Sequence, residues 1–188
     1  MLYDMTIPAY RNGLRALSAQ LDKALAWGAD NDIGELQLVV ARLAPDMFPL
    51  ASQVRFSCLQ ALQPPTRLGA AGAPELTDDA TDFAGLQTQI AATLGWLDTV
   101  DAAAIDADPD RPVSFDLPNG MAFDMTARTY VRDWAQPQFY FHLVAAYTIL
   151  RHMGVPLGKV GKIAMKFEGE DAPPSARTTS GIALGAGG

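Results

Sequence analysis

The sequence is poor in the residue types that build easily recognised chemistry. Cys58 is the one cysteine in 188 residues, which excludes an intrachain disulfide and any multi-cysteine metal cluster. There are two histidines, His142 and His152. Lysine and arginine total 14 against 21 acidic residues, a formal charge of −7, and the pI is near 4.6. Nucleic-acid binding needs a basic stripe that releases counterions from phosphate, and no such stripe is visible. Long apolar runs are also missing. The longest, Phe139 to Leu150, contains His142 and falls short of the ~18 residues that span a bilayer. Met1 to Pro8 lacks the basic region and apolar run of a secretory signal. The expectation is a cytoplasmic protein with neither nucleic acid nor membrane as partner.

What is present reads as helix. The apolar fraction is 49% and the charged fraction 19%, ordinary values for a globular domain. Ile7, Tyr10, Leu14, Leu17, Leu21 and Leu25 recur at three- and four-residue steps, predicting a helix from about Met5 to Trp27 with Pro8 in its first turn. Ile33 to Ala44 is apolar but too short to assign. Asp46 is a candidate N-cap for a second helix, with Pro49 at its third position, the stripe Met47, Leu50, Val54, Cys58 and Ala61, and Pro64-Pro65 as its stop. Asp78 or Asp79 should cap a third helix carrying Phe83, Leu86, Ile90, Leu94 and Leu97. The period then changes. Val113, Phe115 and Leu117 alternate with polar residues ahead of Asn119-Gly120, a hairpin signal. Thr126 should cap a fourth helix running to about Met153, kinked at Pro137 and ended by Gly154. The fold class is therefore all-α, a four-helix bundle with a small β-hairpin before its last helix. Residues 1–160 form the domain and 161–188 a C-terminal tail, with Ile163, Met165 and Phe167 able to pack.

Two motifs imitate binding loops and fail. Asp106, Asp108 and Asp110 begin like a calcium loop, but Arg111 stands at the sixth position and Leu117 at the twelfth. Gly154 to Lys159 is one residue short of a phosphate loop and follows a helix, not a strand. The informative stretch is the fourth helix. Val131, Ala135, Gln138, His142, Ala145, Ile149 and His152 share one face, with Tyr130, Trp134, Phe141, Val144 and Thr148 as a second, bulkier stripe beside it. Gln138 and His142 lie one turn apart, the spacing used for paired ligands in helical bundles. The competing reading is a core histidine satisfied by a neighbour. His142 and His152 cannot share one ion, because ten residues of helix separate them by about 15 Å. Two apolar stripes on one helix exceed what a bundle seam needs, so a homodimer is expected unless the hairpin covers the surplus.

The run Ala41-Arg42-Leu43-Ala44-Pro45-Asp46-Met47-Phe48-Pro49-Leu50 resembles a bacterial domain-of-unknown-function family of the DinB/YfiT-like superfamily. So do Phe139-Tyr140-Phe141-His142, Ala146 to His152 and Gly154 to Lys159. The resemblance covers about residues 1 to 160. It implies an up-down-down-up four-helix bundle, usually dimeric. In metal-binding members it implies a divalent ion held by one histidine on the second helix and a His-x-x-x-His pair on the fourth, and in some members thiol transfer or hydrolysis. Here the fourth helix reads Gln138-x-x-x-His142, and the second helix offers only Asp46 near its start. Besides an interaction or stress-response module acting through a dimer surface, two functions follow as expectations. One is a bundle without the metal triad that binds a small ligand through His142, Gln138 and Asp46. The other is a divalent-metal-dependent enzyme in which those three residues hold the metal.

Overall fold

The computed structural model describes residues 1–77, 80–117 and 119–158 of the chain. The first helix, α1, spans Leu2–Asp30. Ile7, Tyr10, Leu14, Leu17 and Leu21 are fully buried along one face, as their spacing demands. Leu25 does not join them, because Ala24 takes the buried position at that turn and leaves Leu25 exposed. The helix also begins earlier than expected, so Pro8 lies inside it and not in its first turn. Pro8 and Asp4 are both exposed, so the Asp4 carbonyl that loses its N–H partner is on the solvent side. Asp106 supplies the cap that Met1 cannot, its Oδ1 accepting the Tyr3 N–H at 3.1 Å.

The unassigned stretch contains a short helix, α2 (Glu35–Val39), followed by turns. The next long helix, α3 (Leu50–Arg67), is capped by Pro49 and not by Asp46. A turn closed by the Met47 N–H to the Ala44 carbonyl intervenes, leaving Asp46 exposed ahead of the helix. Pro64 and Pro65 do not stop α3 but lie buried in its final turn, where their carbonyls still accept the Leu68 N–H. The helix α4 (Phe83–Leu97) is capped by Asp82, whose Oδ1 accepts the Gly85 N–H at 2.8 Å. The alternative caps Asp78 and Asp79 lie outside the described residues, as do Lys159 and the tail 161–188. A short α5 (Ala102–Asp106) leads to the hairpin.

The hairpin pairs β1 (Pro112–Asp116) with β2 (Ala122–Thr126) antiparallel, with Phe115 opposite Phe123 and their rings stacked at 5.2 Å. Arg67 pins it to the helices. Its guanidinium lies 4.3 Å from the Phe115 ring centroid and donates to the Tyr130 hydroxyl at 2.8 Å. Arg111 anchors the strand's start by donating to the carbonyls of Leu68, Ala104, Ile105 and Asp108. Thr126 ends β2 and caps α6 (Ala127–Thr129), which passes into a π-helical turn, Tyr130–Ala135, and then α7 (Gln136–His152). The π turn stands where a simple proline kink was expected. The ring of Pro137 would collide with the Asp133 carbonyl in a regular α-helix, and the wider turn immediately before it makes room.

The four long helices pack pairwise around one core, and the contacts fix their directions. Arg11 pairs with Asp98 at 2.8 Å, while Ser18 and Asp22 meet Gln87, so α1 and α4 are antiparallel. Gln136 reaches the Met5 carbonyl, Phe139 packs on Tyr10 and Gly154 faces Trp27, so α7 runs with α1. Gln53 meets His142 and Arg67 meets Tyr130, so α3 opposes α7. Ser52 and Arg55 share a crevice with Leu86 and Gln89, and Cys58 meets Thr93, so α4 follows α3. At Gly13 the backbone of α1 comes close to α7: a Cβ there would lie 2.7 Å from the Phe139 ring. Among the described residues no helix is long and apolar enough to cross a membrane.

Candidate functional site

His142 sits half-buried on α7, facing α3. Its Nδ1 lies 2.8 Å from Oε1 of Gln53, a residue only 2% exposed on α3. The other end of the Gln53 amide sets the proton arrangement. Nε2 donates to the Phe48 carbonyl at 3.3 Å, which leaves Oε1 as the acceptor facing the imidazole. His142 Nδ1 therefore carries the proton and donates, and Nε2 carries the lone pair. Burial among apolar neighbours pushes the His142 pKa down to about 4, so the ring is neutral at pH 7. Among the described residues Nε2 makes no hydrogen bond.

The walls of this site are aromatic. Phe56 lies 5.0 Å from the His142 ring centroid, Phe141 lies 5.2 Å away, and Phe48 packs edge-on against Phe56 at 5.0 Å. A neutral imidazole held through one nitrogen beside apolar rings can accept one hydrogen bond or donate one lone pair at the other. It is a poor proton shuttle near pH 7, because its protonated form is costly there.

Of the three residues read from the sequence, the structure places Gln138 and His142 one turn apart on α7 and both half-buried. Asp46 is not brought to them. It lies exposed on the turn before α3 and forms no hydrogen bond or ion pair with either. His152 is exposed in the last turn of α7, where the helix dipole accounts for a basic side chain. The residue the sequence reading missed is Gln53. Its signal was its place on the core-facing side of α3 between Leu50 and Val54, where a polar side chain must find a partner.

The donor set does not suit a divalent ion. Among the described residues no group of three His, Cys, Asp or Glu side chains could hold one. His142 offers a single nitrogen and its nearest partner is an amide, whereas a stable site needs three or four anionic or imidazole donors. Thiol chemistry has no better footing. Cys58 is buried against Thr93 and its thiol is pushed up to about 12, so no thiolate forms near neutral pH. The calcium-like loop is equally committed, with Asp106 holding the start of α1 and Asp108 Oδ1 accepting the Asp110 N–H at 2.9 Å.

The second apolar stripe of the fourth helix is partly accounted for. Tyr130 and Trp134 lie under the hairpin against Phe115, and Trp134 also against Phe123. Phe141 and Val144 stay uncovered, 57% and 53% exposed.

Comparison with known proteins agrees with this architecture. Residues 2–161 match the model of a family described as Domain of unknown function (DUF1993). A crystal structure of a DinB family member protein from Shewanella denitrificans superposes with a TM-score of 0.79 at 30% identity, covering 94% of this chain and 96% of that one. No curated protein matches the sequence.

Proposed function

The chain belongs to the DinB-like domain-of-unknown-function family DUF1993, and on that premise we propose that it is a cytoplasmic small-ligand-binding bundle whose polar anchor is His142. The helices follow the up-down-down-up order of the DinB/YfiT-like bundle, a reading supported by the antiparallel contacts of α1 with α4 and the parallel ones of α3 with α4. One observation carries the functional reading: the Nδ1–H of His142 is spent on a buried glutamine, while Nε2 has no hydrogen-bond partner among the described residues and the half-buried ring lies against Phe56 and Phe141. Convergence of a single oriented polar group with apolar walls is how a site recognises a small, largely apolar molecule. The ligand this favours is planar, with one hydrogen-bond donor to meet the imidazole lone pair.

The test is a titration of protein labelled with ¹⁵N-histidine with phenol. Selective movement of the His142 ring signals with saturation, and its loss in His142→Ala but not in His152→Ala, is the expected result. Signals of both histidines that stay put would overturn the reading. The alternative, a divalent-metal-dependent enzyme using Asp46, Gln138 and His142, is disfavoured by the exposed position of Asp46 and the commitment of His142 to Gln53. Elemental analysis of protein purified without chelator decides it, since one equivalent of bound metal lost in His142→Ala would restore that alternative.

A further inference from the structure

From Gln136 to Leu150 the helix α7 carries no Asp, Glu, Lys or Arg; Arg151 is the first. A helix without charge all round is ordinarily buried all round. Here one side is not. Phe139, Ala146, Ile149 and Leu150 are buried against the bundle, whereas Pro137, Phe141 and Val144 are exposed. Thr148 continues their line, and its hydroxyl is spent within the helix, donating to the Val144 carbonyl at 2.7 Å. The hairpin packs on Tyr130 and Trp134 and leaves Phe141 and Val144 uncovered. Phe48, also more than half exposed, extends this surface toward α3 through the rings of Phe56 and His142. Single exposed apolar residues are ordinary, but a contiguous stripe marks a covered surface.

The stripe has the symmetry that a copy of itself requires. Pro137, Phe141, Val144 and Thr148 are spaced four, three and four residues apart, the seam of a heptad pattern, on the regular helix beyond the π turn. That spacing reads the same from either end. A two-fold axis between Phe141 and Val144 therefore lays Phe141 of one copy on Val144 of the other, and Pro137 on Thr148. Such reciprocal pairing defines an isologous contact. Charge favours the same occupant. The chain carries −7, so two copies repel through most of their surface, and a face without charged side chains is where they can approach. The area is also adequate. The exposed parts of Phe48, Pro137, Phe141, Val144 and Thr148 amount to roughly 350–450 Å², mostly apolar. A standard interface buries about 800 Å² per partner, somewhat more than half of it apolar, so the stripe supplies most of the apolar part.

We propose that the outer face of α7 binds a second copy of this chain, the two helices running antiparallel about a two-fold axis between Phe141 and Val144. Phe141 is also a wall of the His142 site, so the pairing takes one wall of that site out of solvent in each copy. The pairing needs no ligand at His142 and stands or falls separately from the function proposed above.

Sedimentation of the full-length protein tests this first. A dimer is expected at about 10 µM, with Val144→Glu raising its dissociation constant about a hundredfold because two carboxylates then meet beside the axis. Leu25→Glu, at an exposed leucine on α1, should leave the dimer intact. Wild type that stays monomeric at about 100 µM overturns the proposal and assigns the face to another occupant, and so does a dimer that Val144→Glu leaves equally tight. Disulfide trapping places the axis and does not depend on how Val144→Glu folds. Pro137→Cys protein mixed with Thr148→Cys protein should give a mixed disulfide, identified by its mass. Each variant alone should give almost none, because like positions lie about 16 Å apart along the helices, beyond disulfide reach. Cys58 is buried and does not compete. Disulfides between like variants, or none in the mixture, overturn the antiparallel pairing.

Discussion

Replacing His142 with glutamine should change how stability depends on acid, and the size of the effect follows from the site. The imidazole is neutral and Nδ1 donates to Gln53 Oε1 at 2.8 Å, while burial lowers its pKa from 6.5 to about 4. In the unfolded chain the same ring titrates near 6.5, so between pH 6.5 and 4 the unfolded state binds a proton that the folded state refuses. The sign follows: this contribution is complete above pH 6.5 and is lost as pH falls toward 4. A shift of this size would correspond to about 3 kcal/mol for a sealed group at roughly 1.4 kcal/mol per unit. His142 is only half-buried, so screening reduces the expected loss to about 1–2 kcal/mol. Urea unfolding at pH 7.5 and pH 4.5 measures it. The wild type should lose about 1–2 kcal/mol more over that interval than His142→Gln, since carboxylate protonation is common to both proteins and cancels in the difference. His152→Gln should keep the wild-type difference. Identical acid losses in wild type and His142→Gln would mean that the imidazole is not desolvated and that the Gln53 contact does not hold it neutral.

Further substitutions probe the packing. Leu17→Ala removes a fully buried side chain and should cost about 2–5 kcal/mol, whereas Leu94→Ala, at a half-buried position, should cost less; equal thermal shifts would contradict their placement. Gly13→Ala puts a methyl group 2.7 Å from the Phe139 ring and should destabilise by about 1–3 kcal/mol in denaturant melts, with Gly34→Ala, where the space is open to 3.6 Å, as the milder control. Arg111→Met removes four donor contacts to backbone carbonyls and should lower the thermal midpoint by several degrees, with hydrogen exchange rising first around residues 102–116; exchange unchanged there would remove Arg111 as the anchor of the hairpin.

Much of the architecture was legible because it rests on local periodicity. Four long helical segments, the alternation of Val113 and Phe115, and the Asn119-Gly120 turn follow from spacings of 3.6 and 2 that any packed helix or half-buried strand must obey. Gln138 and His142 on one helical face followed in the same way. Several departures fell at or near the prolines, beside those at Leu25 and Asp46. Pro8 and Pro64-Pro65 lie inside helices, because exposure in one case and burial in a last turn in the other offset their missing hydrogen bonds. Pro137 is accommodated by a π turn that no periodicity announces. The site was hidden for a related reason. Asp46 is a plausible ligand by sequence position, but the turn at Ala44 to Met47 leaves it in solvent. Gln53 and His142 are 89 residues apart and meet only because α3 runs against α7 in the correct register. Local sequence determines which residues can form a helix and which of its faces is apolar. Which two faces meet, and so which histidine nitrogen is spent and which is not, is decided by the packing of the whole core.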